Sequence, residues 1–262
     1  MNSILLKSLL VNKNLLNDLV YFEELDSTNA YSKKNNLFDN TLVITSHQTG
    51  GTGRFGRTWR SSKNKNLTFT LIKCFKVRVD EIHLINFYSS YILFLTLKNF
   101  LEEYREKKDF DITLKWPNDI LLNRRKVAGI LLDVKDVKQK IKKFIIGIGL
   151  NVNQEKFSED ISLKATSLSN ETKILIDPEK LLTLFINYFY NNLNLITQKE
   201  KLMKLWIQNS KIKGKQIEFK QLEDDKEKKA TVISIDSDGG LKVKFNDGQI
   251  AKFFSGEIRM VY

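Results

Sequence analysis

The chain has 262 residues, with 43 Lys plus Arg against 31 Asp plus Glu and a formal net charge of +12. A hydrophobic content of 42% and a charged content of 28% fit a globular protein long enough to bury a sizeable core in one or two domains. One cysteine, Cys74, excludes an internal disulfide framework and a cysteine-rich zinc site, and His47 and His83 are too few for a histidine-rich metal centre. Such cysteine usage fits a reducing compartment, and the cytoplasm is the expected location.

In chain order, the apolar run Ser3 to Val11 lacks a small-residue cleavage site and passes into Asn12-Lys13-Asn14, so no signal peptide is read there. Val20 to Leu25 reads as a short strand, and Asp26-Ser27-Thr28-Asn29 caps a helix running toward Lys34. Thr41 to Ser46 and Leu67 to Lys73 read as further strands, on either side of a glycine-rich loop. Ile82, Ile85, Tyr88, Ile92, Leu95 and Phe100 predict a long amphipathic helix from Asp80 to about Lys107. No apolar stretch, including Tyr91 to Leu97, approaches membrane-spanning length.

Four strand-like runs follow: Ile112 to Trp116, Ile120 to Leu122, Val127 to Val134 and Phe144 to Asn151. The tight connection Asn123-Arg124-Arg125 predicts antiparallel neighbours. From Asn151 to about Asp177 the chain is polar and irregular, which predicts a second mobile loop. Pro178 then opens a helix behind the cap Asp177, and helices continue to about Ser210. Beyond Gly214 come five short strands, Gln216 to Lys220, Lys229 to Ile235, Leu241 to Phe245, Gln249 to Phe253 and Ile258 to Val261. Asp238-Gly239-Gly240 and Asn246-Asp247-Gly248 are hairpin signals between three of them. This pattern predicts a small SH3-like β-barrel and a division into domains 1–212 and 213–262.

The run Gly50-Gly51-Thr52-Gly53-Arg54-Phe55-Gly56-Arg57-Thr58-Trp59 carries the strongest chemistry. Glycine exposes backbone N–H groups and reaches positive φ without a steric cost, while arginine offers a permanently charged fork for phosphate or carboxylate. Together they predict a flexible loop closing over an anion. The loop is not a Walker A motif, because no Lys-Ser/Thr follows its last glycine. Nor is Gly51-x-Gly53-x-x-Gly56 a dinucleotide fingerprint, since it opens no helix and no acidic residue lies between Asp39 and Asp80.

Three further motifs present ligand-binding groups. Lys115-Trp116-Pro117-Asn118-Asp119 ends a strand in a turn bearing an amide and a carboxylate, which suit a hydrated Mg²⁺ and the phosphates it bridges, or simply a self-stabilised turn. Lys126 opens a strand in which Gly129 leaves room for a ligand, although a lysine at a strand start is also commonly just a solvated end. Gly147-Ile148-Gly149-Leu150-Asn151 is a strand with two glycines and a terminal Asn, which also suits plain packing against a helix.

In this order, and with Ser27-Thr28-Asn29 before them and Ala165-Thr166-Ser167-Leu168 after, these motifs resemble those of the biotin protein ligases over nearly the whole chain. The resemblance implies an α+β fold: a catalytic domain like that of class II aminoacyl-tRNA synthetases, with a mixed sheet and flanking helices, plus the SH3-like barrel. It implies a two-step reaction in which biotin and ATP give biotinyl-5′-AMP and pyrophosphate, and a lysine of a biotin carboxyl carrier protein then takes the biotinyl group. By resemblance Ser27, Thr28, Asn29, Gln48, Gly51, Thr52, Gly53, Arg54, Lys126 and Gly129 bind biotin. Arg54, Arg57, Trp59, Lys115, Asn118, Asp119 and Asn151 bind ATP, with Asp119 reaching Mg²⁺ through phosphate. Arg54, Arg57 and Lys126 are the catalytic cations. Two anions about 4 Å apart repel by roughly 4 kcal/mol at an effective dielectric of about 20, and these cations offset that repulsion.

Many family members carry Arg where Thr52 stands, and some carry Arg where Phe55 stands; this departure predicts faster loss of the adenylate. Regulatory members carry an N-terminal DNA-binding domain, for which few residues precede Ser27, so the expectation is the monofunctional form with no DNA or membrane partner, as a monomer or homodimer. Two rivals remain at this stage, a lipoate or octanoate ligase on the same scaffold and a basic nucleic-acid-binding module. The acidic residues Asp224, Asp225, Asp236 and Asp238 among the C-terminal lysines weaken the second.

Overall fold

Alternation along the central strands separates an apolar face from a face of small polar residues, and that separation places the site. The structure, a computed structural model, describes residues 3–11, 15–104, 109–138, 141–220 and 228–260. Its elements are α1 (Ser3–Leu10), β1 (Asp18–Phe22), α2 (Thr28–Lys34), β2 (Thr41–Thr45), β3 (Leu67–Lys76), α3 (Ile82–Glu102), β4 (Ile112–Lys115), β5 (Asp119–Leu122), β6 (Arg125–Lys138), β7 (Ile141–Leu150), α4 (Leu168–Thr172), α5 (Pro178–Asn191) and α6 (Lys199–Ser210), followed by β8 (Gln216–Lys220), β9 (Lys228–Ile235), β10 (Leu241–Phe245), β11 (Ile250–Phe253) and β12 (Glu257–Met260).

Among the described residues the strands form two sheets. The first has the order β1-β2-β3-β7-β6-β5-β4, with β1 parallel to β2 and the other pairs antiparallel. The second, β11-β10-β9-β8-β12, is wholly antiparallel. A mixed sheet with flanking helices and a separate C-terminal sheet is the α+β arrangement expected from the sequence. The turn at Asn123 and Arg124 has positive φ at both residues, 49° and 67°, the geometry that joins antiparallel strands tightly.

On β3, Phe69 points to α5, its ring 5.5 Å from that of Phe185. Its neighbour Thr70 points the other way and bonds Thr28 and Asn29 of α2. On β7, Ile146 and Ile148 are buried in the core, while Gly147 and Gly149 leave space on the side of α2 and the glycine loop. At Gly147 a Cβ would lie 2.1 Å from Asn29 Oδ1, so only glycine lets α2 approach the strand.

Several sequence expectations need correction. The long helix is not amphipathic: α3 is buried around most of its circumference, packing on α5, α6 and strands β4 to β6. Ser89, Ser90 and Thr96 enter the core because each hydroxyl donates to a carbonyl one turn earlier, at 2.7, 2.9 and 2.8 Å. The helix ends at Glu102, where Glu103 and Tyr104 bond three residues back instead of four; residues 105–108, into which the helix was extended, lie outside the described set. The strand expected at Val20 to Leu25 runs from Asp18 to Phe22, and β3 continues to Lys76, past the expected Lys73. The polar segment 151–177 contains α4, capped by Ser167, whose hydroxyl accepts from Asn170 N–H. The N-terminal apolar run is a helix that buries Leu6 and Leu10 and packs against α5.

Candidate functional site

The glycine loop is held by its own backbone. Gly53 N–H donates to Arg57 O at 2.6 Å, and Trp59 N–H to Gly51 O at 2.8 Å. Phe55 and Gly56 take positive φ, 59° and 71°, to turn the chain between those bonds. The turn places Arg54 with its guanidinium 4.6 Å from the Phe55 ring centroid and its Nη1 3.3 Å from Asn118 Oδ1. Burial pushes the Arg54 guanidinium below its ordinary pKa, with Asp119 opposing the shift and Arg57 adding to it. An arginine so shifted still carries its charge at neutral pH.

The start of α2 forms a polar floor. Ser27 caps the helix by accepting from Ala30 N–H. Gln48 Oε1 accepts from both the backbone N–H and the hydroxyl of Thr28, each at 3.0 Å. Asn29 donates to Leu131 O at 3.3 Å and Asp133 Oδ2 at 3.2 Å, while its own oxygen accepts from Thr70 at 2.6 Å. Thr28, Asn29 and Gln48 are all buried, so these bonds fix their side chains in place.

Opposite lies an ion pair. Lys126 Nζ is 2.7 Å from Asp119 Oδ1 and 5.6 Å from the Trp59 ring centroid. The backbone of Lys126 is fixed on both sides, donating to Lys164 O at 2.7 Å and accepting from Thr166 N–H at 2.9 Å. Asn151 Nδ2 donates to Thr166 O at 3.0 Å, which ties the end of β7 to the same segment. The buried Glu171 carboxylate gathers Arg125, the Thr166 hydroxyl at 2.7 Å and the Asn123 amide at 2.5 Å.

These groups surround one cavity of about 1190 Å³. Single small-ligand pockets run to about 1,000 Å³, so this cavity lies above that range. Ser27, Thr28, Asn29, Gln48, Thr52, Gly53, Arg54, Arg57, Trp59, Lys115, Asn118, Asp119, Lys126, Gly129 and Asn151 all line it. Gly51 does not. A Cβ there would lie 2.4 Å from Trp59 O and 2.5 Å from Gln48 Nε2, so Gly51 is a packing glycine beneath the loop. Gly129 lines the cavity and also makes room for the ion pair, with the Lys126 ammonium and the Asp119 carboxylate 3.0 and 3.3 Å from where its Cβ would be.

Sequence reasoning missed Thr70 beneath the floor, Glu171 behind Lys126, and the C-terminal residues Glu218, Ile258, Arg259 and Met260, which also line the cavity. Each is of a type common elsewhere in the chain, and none lies in a motif that marks it. The loop end contributes Trp59, whose indole packs over Gly149; its buried N–H has no hydrogen-bond partner among the described residues.

Among the described residues no cluster of three or more His, Cys, Asp or Glu side chains forms a metal cage. Asp119 brings one carboxylate to the cations, so a divalent ion fits here only by sharing phosphate oxygens of a ligand. No helix among the described residues is long and apolar enough to cross a membrane.

Comparison with known proteins gives a consistent picture. Residues 21–151 match the model of the Biotin/lipoate A/B protein ligase family. The chain is 32% identical over 169 residues to a biotin–[acetyl-CoA-carboxylase] ligase of Paracoccus denitrificans, covering 63% of this chain and 68% of that protein. It is 31% identical over 164 residues to the bifunctional ligase/repressor BirA of Bacillus subtilis (strain 168), covering 61% of this chain and 48% of that relative, about half its length. A solved biotin protein ligase from Aquifex aeolicus, in complex with biotin and ATP, superimposes with a TM-score of 0.71 at 26% identity, over 93% of this chain and 98% of that one.

Proposed function

The chain belongs to the Biotin/lipoate A/B protein ligase family, and from that premise we propose that it activates biotin with ATP and transfers it to a lysine of a biotin carboxyl carrier protein. The observation that carries this reading is one cavity in which a floor of fixed amides and hydroxyls meets three cations, Arg54, Arg57 and Lys126. The floor suits a ligand head rich in N–H and C=O groups, as a cyclic urea is, and the cations suit a carboxylate and a phosphate brought together. The Paracoccus relative bears the name of that activity, and the Aquifex structure holds both small ligands.

In the first step a biotin carboxylate oxygen attacks the α-phosphorus of ATP; the bond to the bridging oxygen breaks and pyrophosphate leaves. Lys126 and Arg54 neutralise the approaching anions and hold them in line. In the second step a carrier lysine, as the free amine, attacks the acyl carbon, AMP leaves and the amine loses a proton. No nucleophilic side chain of this chain is needed. Asn118 and Asp119 face the phosphate side of the cavity, where Mg²⁺ shared with the nucleotide would neutralise phosphate charge. Lys115, Trp59 and Asn151 complete the nucleotide side, and Gly53, Thr52 and Gly129 the biotin side.

We assign residues 1–212 to a catalytic domain and 213–262 to an SH3-like domain, since α6 ends at Ser210 and the second sheet begins at Gln216. The net charge of +12 suits a carrier domain with an acidic face. The reading places the reaction in the cytoplasm.

The family name also covers lipoate ligases, whose substrate offers an alkyl chain and a disulfide ring instead of a urea. The buried floor of fixed polar groups at Thr28, Asn29 and Gln48 favours biotin, because a urea brings N–H and C=O groups to meet it and an alkyl chain brings none. Biotin binding by calorimetry, with lipoate and octanoate in parallel, tests the choice. Binding of biotin alone supports it, and binding of lipoate alone moves the chain to the sister activity.

A further inference from the structure

We propose that the C-terminal sheet positions the Asn118-Asp119 pair, with Gly239 and Trp116 as the positioning residues that carry the contact. The inference rests on the ligase reading and adds a device to its nucleotide side. Trp116 is fully buried immediately before Pro117-Asn118-Asp119. Its indole N–H donates at 3.0 Å to the carbonyl of Gly239, 123 positions further along the chain in the turn between β9 and β10.

That turn is shaped for the contact. Gly239 has φ +81°, and a Cβ there would lie 2.7 Å from Phe87 and 3.1 Å from His83 of α3. Only glycine seats the turn this close to the helix without strain. His83 Nε2 lies 3.2 Å from Ser237 O and so holds the turn at a second point. Lys252 braces it from within the sheet, its Nζ 2.9 Å from Asp236 and 2.6 Å from Asp238.

The Asn118-Asp119 motif is thus held from several elements. Asn86 of α3 donates to Pro117 O at 2.8 Å, Asn118 donates to Ile130 O on β6, and the turn of the second sheet holds Trp116. The floor of Thr28, Asn29 and Gln48 is tied to β3 and, like Asn118, to β6. A shift of the second sheet therefore acts first on Asn118 and Asp119, at the side that holds phosphate, and reaches the biotin side only through Arg54 and Lys126. Misplacement by a fraction of an ångström is enough to weaken such a site.

The test separates the two substrates in the full-length protein. Trp116→Phe keeps the ring and removes the N–H; Lys252→Ala loosens the turn from a distance. ATP KM is measured by biotin-dependent exchange of pyrophosphate into ATP, and biotin Kd by calorimetry without ATP. The expected result is a rise in ATP KM of about tenfold for Trp116→Phe and about threefold for Lys252→Ala, with a clearly smaller change in biotin Kd. Unchanged ATP KM in Trp116→Phe overturns the inference, as does an equal weakening of both substrates, which marks general loosening. If Trp116→Phe fails to fold, Lys252→Ala decides by the same criteria. Failure of the unaltered protein to bind biotin at all would instead overturn the ligase reading, and the inference with it.

Discussion

Lys126 Nζ lies 2.7 Å from Asp119 Oδ1, and the absence of a side chain at Gly129 makes room for both. The ammonium is therefore held at the cavity wall by a partner that a ligand carboxylate or phosphate can replace. Asp119↔Gly129 are direct neighbours across β5 and β6, so the pairing of the strands itself sets this geometry.

Gly129→Ala tests that space. The new methyl would meet the flexible end of Lys126 at 3.0 Å, so the side chain moves and the fold does not. The expected stability cost is below about 1 kcal/mol, with a fall in biotin-dependent exchange of about tenfold. Thermal melts and exchange rates on the same preparation check both parts. Full activity would show that Lys126 works from another position.

Gly149→Ala is expected to act through Trp59. A Cβ at position 149 would lie 2.3 Å from Trp59 Cε2, which expels the half-buried indole from its seat over the strand. The expected cost is about 1–3 kcal/mol with a red-shifted tryptophan emission, read by denaturation and fluorescence. An unshifted spectrum would contradict this packing.

Thr52 and Phe55 stand where relatives often carry arginine. Thr52 lines the cavity and bridges to Thr58 in the loop. Thr52→Arg adds a cation beside the bound adenylate and is expected to slow biotinyl-AMP release. Release is followed from preformed complex in both proteins, and equal rates would sink the idea.

Acid is expected to loosen the β9–β10 turn. The hydrogen bond from Lys252 holds the Asp236 carboxyl below the usual carboxylate range, and its bonds to Asp238 and Asp236 raise the Lys252 ammonium above its ordinary value. A depressed carboxylate contributes stability above its unfolded pKa of about 4 and loses it as pH falls through the folded value. A raised ammonium contributes below its unfolded pKa of about 10.4 and loses it as pH rises through the folded value. The difference in melting temperature between wild type and Lys252→Ala should therefore be present at neutral pH and shrink toward pH 3. A difference independent of pH over that range would show that Lys252 acts by packing alone.

Much of the site was legible because its residues have few other uses in such company. Arginines among glycines, or Asn-Asp after Lys-Trp-Pro, are ambiguous singly and were read as a site only because the motifs, taken in order, resemble those of one family. Gly51 shares the composition of its loop neighbours yet serves packing, and only the position of Trp59 O distinguishes it. The helix α3 was misread because periodicity counts Ser89, Ser90 and Thr96 as polar, whereas their hydroxyls are satisfied within the helix and can be buried. Glu171 and Thr70 were invisible because nothing local marks a carboxylate or hydroxyl whose partners lie on other elements. The C-terminal strands were read correctly as a separate sheet, but their place at the cavity depends on tertiary contacts such as Trp116 with Gly239.

The most direct test is exchange of labelled pyrophosphate into ATP, with biotin, lipoate and octanoate supplied separately. The account predicts exchange with biotin and none with the two alkyl acids. Exchange with lipoate or octanoate but not biotin would contradict it and assign the cavity to the other branch of the family.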